Sequence, residues 1–477
     1  MTQTPIIDSE ATVWRRVNAD RLAIIVDGAE YFRAVKSAIL QAKEQVLMVG
    51  WDFDTRIPLE PGGPTMEGPN ELGDFLNWII DERPEVEMRI LKWNLGMVES
   101  LKRGETPLFI LEWMTRDGIE LKLDAAHPPG ASHHQKIIVI DDAVAFCGGI
   151  DVTKGRWDTR AHRDDDPERT DTHGKPLKPW HDATTCSDGE IAHALGLICR
   201  ERWRRATGEE VAEPEGGNAP WPDGIEPAFR DVEVGISRTN GAFDEYEQVS
   251  EIERMTLAMI AEARETLYIE SQYFASRKIA EAICKRLSDA KCPEIVLINP
   301  QSQDGWLEEK TMGSARSKLL HMVRQADAHD RFRLYYPVTE GGNPIYVHAK
   351  IMIADDRALK IGSANLNNRS MGLDTECDLS VSAEPDDAEL RLAIRNVRDD
   401  LLCEHLGVDR QTLTAKLQPT GSLIATIEAF GDRGRGLREL PAREVDAVDE
   451  TLREGELFDP ERPGKLIDRM KGWVGAD

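Results

Sequence analysis

Short apolar runs alternate along this chain with segments in which apolar residues recur at helical spacing. In the segment 29–43, Phe32, Val35 and Ile39 recur every three or four residues, which predicts a helix. The apolar run that follows, 46–53, predicts a strand. The same alternation predicts further helices at 70–83, 107–116, 251–264, 277–290 and 306–328, and strands at 86–93, 119–123, 266–274, 294–298 and 331–337. Strands that alternate with helices indicate an α/β fold with a largely parallel sheet in each half.

The second half of the chain repeats the first. HHQKIIVID begins at His133 and HAKIMIAD begins at His348, and both read His-x-Lys-x-x-x-x-Asp before a small-residue turn. The two motif histidines, His134 and His348, lie 214 residues apart. Two matched copies predict a duplication. We expect two α/β/α lobes related by a pseudo-two-fold axis, with the active site at their interface.

Composition places the boundary between these lobes. Residues 209–227 are rich in Pro, Gly and acidic residues, which is typical of a linker. The predicted N-terminal lobe is therefore 1–208 and the predicted C-terminal lobe 228–477, with a mostly helical end that includes 387–406 and a last short helix after 459–464. The polar segment 156–182 predicts a long loop, and loops of that length are usually functional or disordered.

Strand geometry explains the spacing of the motif. Residues two apart on a strand point to the same face, so His134 projects with Lys136 and His348 with Lys350. An imidazole beside an ammonium can grip a phosphate. A single copy would more simply be a core histidine beside a lysine that reaches solvent, but two matched copies favour a site.

Charge and cysteine content narrow the function classes. A formal net charge of −27 over 477 residues argues against a protein that coats nucleic acid, although a small basic pocket for one phosphodiester remains compatible with it. The seven cysteines are scattered without a C-x-x-C pair, which favours a reducing compartment. No secretory signal is visible in 1–20, and the apolar run 22–26 is too short to span a bilayer. We expect a cytoplasmic protein with transient, peripheral membrane contact, with non-classical export left open.

Metal binding is not expected from the motif histidines. His133 and His134 are adjacent and point to opposite faces of a strand, which is poor chelation geometry. No Cys or His lies nearby at a spacing typical of zinc sites. The sequence therefore predicts metal-independent chemistry and no cofactor.

Five strings are long enough to identify a family: HHQKIIVID with AFCGGIDVTKGRWD, PWHD at 179–182, YIESQYF at 268–274, and the stretch from 346 to 376. Over about 27–376 the chain resembles the phospholipase D superfamily, whose hallmark is a duplicated HKD motif, and it is closer to the eukaryotic-type enzymes than to the minimal nucleases. The membrane-targeting modules of eukaryotic members are not expected before residue 27. Family members often carry an arginine where this chain has Leu373, which leaves the ion pairing of Asp374 open.

The resemblance implies a phospholipase D that hydrolyses glycerophospholipids such as phosphatidylcholine to phosphatidate through a covalent phosphohistidine, with transphosphatidylation onto alcohols. The alternative is a phosphatidyltransferase of the cardiolipin-synthase type. A nuclease or a non-catalytic lipid-binding protein is less compatible with the charge and the two complete motifs. A phospholipid surface is the expected partner, without nucleic acid or an obligatory protein partner. One chain carries both motifs, so a monomer is expected to suffice.

The resemblance also implies roles for single residues. His134 would be the nucleophile and His348 the acid and base, although the symmetry of the sequence leaves this choice open. Lys136, Lys350 and Asn365 would hold phosphoryl oxygens, and Asp166 and Glu376 (or Asp374) would orient the histidines, with Asp166 equally compatible with a solvated acid. The candidate substrate-binding residues are Asp151, Gly149, Ser363, Trp180, His181 and Gln272, the last three being equally compatible with packing roles. Asp141 and Asp355, five residues after each lysine, face away from the motif and are expected to be structural.

Overall fold

The computed structural model describes residues 11–94, 113, 116–215, 221–303, 312–432, 434–441 and 459. In these residues the strands are β1 (Arg15–Val26), β2 (Gln45–Gly50), β3 (Glu87–Trp93), β4 (Ile119–Asp124), β5 (Ile137–Ile140), β6 (Val144–Gly148), β7 (Trp180–His181), β8 (Ala183–Asp188), β9 (Phe229–Asn240), β10 (Val249–Ser250), β11 (Thr266–Glu270), β12 (Glu294–Ile298), β13 (Phe332–Val338), β14 (Tyr346–Val347), β15 (Ile351–Ala354), β16 (Ala358–Gly362), β17 (Glu376–Ser382) and β18 (Gly436–Glu439). The helices are α1 (Gly28–Ile39), α2 (Leu72–Glu82), α3 (Glu190–Thr207), α4 (Glu251–Glu262), α5 (Arg277–Leu287), α6 (Ser314–Ala326), α7 (Asn368–Gly372), α8 (Ala388–Leu406), α9 (Arg410–Thr420) and α10 (Leu423–Glu428).

The duplication appears as a palindrome in one sheet of sixteen strands. The long strands β1 and β9 pair antiparallel at its centre. Outward from β1 the order is β8, β6, β5, β2, β3 and β4, and outward from β9 it is β17, β16, β15, β11, β12 and β13, with β18 added at that edge. The expected α/β fold of two related halves is therefore confirmed.

The expectation of a largely parallel sheet is wrong for the strands nearest the centre. Within the described part of this sheet, β2–β3–β4 and β11–β12–β13 are parallel, and the other neighbours pair antiparallel. The reason is the connection after each motif: β5 and β6 are joined by 141–143, and β15 and β16 by 355–357. A connection this short permits only an antiparallel hairpin, because a parallel pair needs a long crossover.

Both faces of the sheet are covered by helices. Ile137 and Val139 of β5 lie in a core cluster with residues of α3 and α8, which comes from both halves of the chain. Ile138 and Ile140 point the other way, into a cluster with α1 and α2. Burial on both faces explains why the motif strands are uninterrupted apolar runs. The second half has a corresponding outer cluster with α4 and α5.

The two central strands, β1 and β9, were not predicted from the sequence. β1 and β9 are twelve residues each and mix polar with apolar positions, so they lack the apolar runs that mark the motif strands. The predicted helix at 107–116, the start of the helix at 306–328 and the final helix after 459–464 lie largely outside the described residues. The proposed linker is flanked by α3, which ends at Thr207, and by β9, which starts at Phe229. No helix in the described part of the chain is long and apolar enough to cross a membrane.

Candidate active site

Each motif histidine is held by a carboxylate from the opposite half of the chain. Nδ1 of His134 lies 2.9 Å from Oε2 of Glu376, and Nδ1 of His348 lies 2.7 Å from Oδ2 of Asp182. Both carboxylates are buried. A carboxylate on Nδ1 keeps the proton of a neutral imidazole on that nitrogen and leaves Nε2 with a free lone pair. The exchange of carboxylates makes one site out of the two motifs.

Backbone hydrogen bonds fix this exchange. The amide of His134 donates to the carbonyl of Thr375 over 3.0 Å, and the amide of His348 donates to the carbonyl of His181 over 2.7 Å. In each case the acceptor directly precedes the carboxylate residue. Both connections are parallel, since His133 bridges Thr375 and β14 pairs with β7. Main-chain pairing therefore delivers each carboxylate to the histidine of the other half.

The motif lysines lie beside their histidines. Nζ of Lys136 donates to the carbonyl oxygen of His134 over 2.9 Å and lies 3.2 Å from Oδ2 of Asp151. Nζ of Lys350 donates to the carbonyl oxygen of His348. Both side chains are buried. Each lysine therefore brings a cation to its histidine, as the strand spacing predicts.

Electrostatic effects place the two motifs in one environment. Burial lowers the pKa of His134 well below its usual value, and the charges of Lys136 and Lys350 lower it further. Burial and the same two lysines also lower the pKa of His348. Burial lowers the pKa of Lys350 to about 7. Both histidines are therefore neutral near pH 7 before a substrate binds, and a bound anion would favour their protonated forms.

The carboxylates respond to the same burial. Desolvation raises the pKa of Glu376 well above its usual value and also raises the pKa of Asp182.

Arg156 adds a third positive charge to those of the two lysines. Its guanidinium lies over the ring of Trp180, with Cζ 4.2 Å from the ring centroid, and its charge helps to lower the pKa of His348. Sequence reasoning did not identify Arg156, although it lies in the polar segment 156–182.

Asp166 does not orient a motif histidine, and of the two roles left open for it the structure supports the solvated acid. Oδ1 of Asp166 accepts from the backbone amide of Glu168, at the protein surface. Asp182 takes the expected role because it directly precedes β8, as Glu376 begins β17, and these strands are equivalent in the palindrome. The two carboxylates are not equally spaced along the chain, because Glu376 begins the second strand after β15 whereas Asp182 precedes the third strand after β5.

Gly149 and Ser363, expected to bind substrate, contact the two carboxylates that orient the histidines. A Cβ on Gly149 would collide with Oδ1 of Asp182, so glycine allows that side chain to reach His348. At the equivalent position, Oγ of Ser363 donates to Oε2 of Glu376 over 2.5 Å and accepts from the amide of Cys377. Both residues therefore act on the orientation of a histidine.

Asp151 is also a positioning group, contrary to the expected substrate contact. Its Oδ2 faces Lys136, and its Oδ1 accepts from the amides of Trp51 and Asp52. Its counterpart Asn365 is buried, and its Nδ2 lies 3.4 Å from Oε1 of Gln272. Asp151 neutralises a lysine in the first half, whereas the equivalent position in the second half is occupied by Asn365, an amide donor. The two halves are therefore not chemically equivalent.

Two of the predicted pocket residues lie beside the site. The ring of Trp180 stacks on Tyr346 at 4.6 Å and lies 5.2 Å from the ring of His348. Nε2 of Gln272 donates to the hydroxyl of Tyr346 over 3.0 Å. Because β7 and β14 come from different halves, this stack joins the halves next to His348.

Of the two roles left open for His181, the structure supports the hydrogen-bonded packing role and not substrate binding. The residue is fully buried, and its Nδ1 and Nε2 lie 2.8 Å from carboxylate oxygens of Glu404 and Glu270. Neighbouring strand residues point to opposite faces, so His181 points away from the site while Trp180 and Asp182 line it.

Asp141 and Asp355 are structural, as predicted. The carboxylate of Asp141 accepts from the amides of residues 43, 44 and 45, which lead into β2. Asp355 accepts from the amides of 264, 265 and 266, which lead into β11. Both residues have positive φ, 52° and 58°, in the turn after the motif strand. The hairpin and the neighbouring parallel strand are thereby fastened together.

The arginine missing from the second motif is replaced from a nearby position. Arg369 in α7 bonds Asp374 through Nε at 3.0 Å and Nη2 at 2.7 Å. Asp374 also accepts from the amide of Ser132 over 2.7 Å. The ion pair that the sequence left open is therefore present, and it holds the segment before Glu376 against the first motif.

Three groups of His, Asp and Glu in the described residues have ligand atoms close enough to hold a metal ion, and neither His134 nor His348 belongs to any of them. The site instead combines two neutral imidazoles, two buried lysines and an arginine. This set suits nucleophilic attack on a phosphorus atom whose oxygens are held by cations.

Comparison with known proteins agrees with this architecture. A family model described as Phospholipase D matches residues 38–216, and one described as Cardiolipin synthase, PLD-like domain, matches 256–395. Phospholipase D A of Dictyostelium discoideum is 25% identical over 462 residues, covering 81% of this chain and 35% of that protein. Phospholipase D2 of Bos taurus is 23% identical, covering 78% of this chain and 50% of that protein. The chain thus spans half or less of the length of these relatives.

A solved structure shares the fold. The phosphatidylserine synthase of Haemophilus influenzae Rd KW20 has a TM-score of 0.53 at 14% identity, covering 80% of this chain and 86% of that one. The protein thus has a fold built from two equivalent halves, each with one motif. With a phospholipase D-type match in each half, the chain belongs to the phospholipase D superfamily.

Proposed function

We propose that this protein is a phospholipase D that cleaves glycerophospholipids to phosphatidate and a free headgroup alcohol. The observation that carries the proposal is the pair of motif histidines, each held on Nδ1 by a carboxylate of the other half and each flanked by a buried lysine. Such a pair supplies a nucleophile, a proton donor and charge neutralisation at one point.

In the proposed first step, Nε2 of His134 attacks phosphorus and the bond from phosphorus to the headgroup oxygen breaks. His348, protonated in the complex, gives its Nε2 proton to the leaving alkoxide. The diester charge offsets the lysine charges that lower the pKa of His348, which favours this protonated form. Lys136, Lys350 and Asn365 hold the non-bridging oxygens.

In the second step, neutral His348 takes a proton from water, whose oxygen attacks phosphorus as the phosphorus–nitrogen bond breaks. An alcohol in place of water gives a phosphatidyl ester. A lipid alcohol would make the protein a phosphatidyltransferase, and this second candidate is supported by the cardiolipin-synthase description of the match over 256–395. We propose that the protein meets its substrate at a phospholipid surface, as a monomer and without nucleic acid.

The test is incubation with phosphatidylcholine vesicles, with and without ethanol, followed by lipid analysis. Phosphatidate alone, replaced in part by phosphatidylethanol when ethanol is present, is the expected result. A parallel arm with phosphatidylglycerol vesicles detects cardiolipin and free glycerol, which would favour the transferase. No phosphorus-containing product in either arm would overturn the proposal.

A further inference from the structure

A second cluster of titratable residues lies behind the active site. It consists of Asp27, His162, His181 and Glu404, which are all buried, with 0–7% of each residue exposed. Each residue offers one possible ligand atom, and these four atoms all lie within 4.8 Å of one another. They come from four segments: the end of β1, the loop before β7, β7 itself and α8. Glu404 lies beyond the matched region, which ends at residue 395.

The separations within the cluster suit a tetrahedral ion. Oε1 of Glu404 lies 2.8 Å from Nδ1 of His181 and 3.2 Å from Nε2 of His162. Asp27 approaches His162 through Oδ2 at 3.3 Å and His181 through Oδ1 at 3.4 Å. Ligands about 2.0–2.1 Å from a tetrahedral zinc ion lie roughly 3.3 Å apart. The separations of 3.2, 3.3 and 3.4 Å are within a few tenths of an ångström of this value, and Asp27 makes the last two through different oxygens.

The outer contacts follow the pattern of metal-binding histidines, which donate their second ring nitrogen to a carboxylate. Nδ1 of His162 lies 2.9 Å from Oδ2 of Asp158, and Nε2 of His181 lies 2.8 Å from Oε2 of Glu270. The other ring nitrogens, Nε2 of His162 and Nδ1 of His181, face Glu404 and Asp27. Each imidazole is thus oriented with one nitrogen toward the centre of the cluster.

Asp27 is an independent indication of a ligand. Its Oδ2 is buried and accepts no hydrogen bond, although it points at His162. Leaving such an oxygen unsatisfied costs about 1–3 kcal/mol. The residue also has φ 69° and ψ 157°, a conformation that a non-glycine residue rarely adopts. A cation at the centre of the cluster would satisfy this oxygen.

The cluster carries more negative than positive charge among the described residues. Arg160 and Arg169 hydrogen-bond to Glu404 and Asp158, and the charge of Arg435 acts on Asp27, Asp158 and Glu404. With Glu270, four buried carboxylates face three guanidiniums, which leaves one negative charge for a further cation to balance. Protons on the two imidazoles could supply the charge, and so could one divalent cation with neutral imidazoles. A surface pocket of about 420 Å³ has Asp27 and Arg160 in its wall, so the cluster lies next to solvent.

We propose that Asp27, His162, His181 and Glu404 bind one zinc ion with a structural role. Two nitrogens and two carboxylate oxygens in a tetrahedral arrangement are a donor set suited to zinc. The ion would fasten α8 to the loop before β7. It would thereby fix the segment in which His181 accepts from the amide of His348 and Asp182 orients that histidine.

The test is metal analysis of the full chain purified from zinc-supplemented medium. About one zinc per chain is expected for the wild type, with a loss of at least tenfold in Glu404→Gln. The matched control is Asp400→Asn, because Asp400 also contacts Arg160, at 2.6 Å, but is not a ligand. Zinc retained by Glu404→Gln at the wild-type level would lie elsewhere and would overturn the proposal.

A second measurement uses the wild type alone, in case the variant does not fold. The chain is unfolded with a chelator, freed of it, and refolded with Co²⁺, Zn²⁺ or no metal. Tetrahedral cobalt should give an intense visible spectrum that zinc abolishes, and zinc should raise Tm by several degrees. Refolding to the same Tm with and without zinc, together with no cobalt spectrum, would overturn the proposal in favour of protonated imidazoles.

Discussion

Oδ2 of Asp182 lies 2.7 Å from Nδ1 of His348, although 166 residues separate the two and they belong to different halves of the chain. The contact is mirrored by Glu376 and His134. Neither half therefore contains a complete His–carboxylate pair. The fold obtains its active site by exchanging carboxylates across the centre of the palindromic sheet.

The exchanged carboxylates should be essential to rate. We expect Asp182→Asn and Glu376→Gln each to lower kcat by about 10²–10⁴-fold, since an amide no longer favours the correct imidazole tautomer or the imidazolium form. Asp166→Asn is the control and should change kcat by less than about twofold. Release of choline from phosphatidylcholine is the measurement. A strong loss in the control with normal activity in Asp182→Asn would restore Asp166 to the site.

The two histidines should differ in a trapping experiment. With a 4-nitrophenyl phosphodiester, whose leaving group needs no proton, His348→Ala should accumulate a covalent phosphoryl adduct because no base activates water. His134→Ala should remain unlabelled. On phospholipids both variants should lose at least about 10³-fold in rate, while His193→Ala, at an exposed position, should not. Label on His134→Ala would reverse the two roles.

The pH dependence should report Lys350. Its pKa, lowered by burial to about 7, means that the ammonium is lost as pH rises through 7 in the free protein. We expect kcat/KM to fall above about pH 7, because a neutral amine no longer holds a phosphoryl oxygen. Lys350→Arg keeps its charge at all these pH values and should lose this alkaline decline, even at a lower maximum. An unchanged decline in the variant would assign it to another group.

Burial of Lys350 should lower the stability of the folded protein. Its folded pKa lies below its unfolded value of 10.5, so the penalty for burying the ammonium is fully present below pH 7 and fades as pH rises to 10.5. Lys350→Met should therefore raise Tm while abolishing activity, and the gain should be larger at pH 6 than at pH 9. Thermal unfolding at the two pH values is the measurement. A variant that lowers Tm at pH 6 would contradict it.

The sequence predicted what depends on local spacing. The histidine and lysine of each motif share a strand face, which follows from a few consecutive residues. The structural role of Asp141 and Asp355 was also predicted, but not the amides that they bind, which lie as far as 96 and 89 residues away along the chain. Asp182 was not predicted because its position depends on β7 pairing with β14 of the other half. The inserted segment 156–182 also hides the match between Asp182 and Glu376.

The remaining differences also arise from long-range packing. His181 lies between Trp180 and Asp182, which line the site, but strand alternation turns it into the buried cluster of Glu404 and Glu270. Arg369 lies outside the expected motif position and is brought to Asp374 by the short helix α7. Neither contact follows from the spacing of residues along the chain.

The ion pair of Arg369 with Asp374 is expected to connect stability to activity. Arg369→Ala leaves a largely buried carboxylate without its guanidinium, and the side chains are only 19% and 8% exposed. Removing one partner of a buried pair costs about 3–5 kcal/mol, and partial exposure of the arginine should reduce this to roughly 2–4 kcal/mol in the free energy of unfolding.

A matched control is available on the surface. Arg391 contacts Asp356 through Nε and Nη2 but is 35% exposed, so Arg391→Ala should cost at most about 1 kcal/mol. Guanidinium unfolding measures both variants. Arg369→Ala should also lower kcat at temperatures where the protein is folded, because Asp374 fixes the segment that delivers Glu376 to His134. Equal stability losses in the two variants would show that the pair contributes no more than an ordinary surface contact.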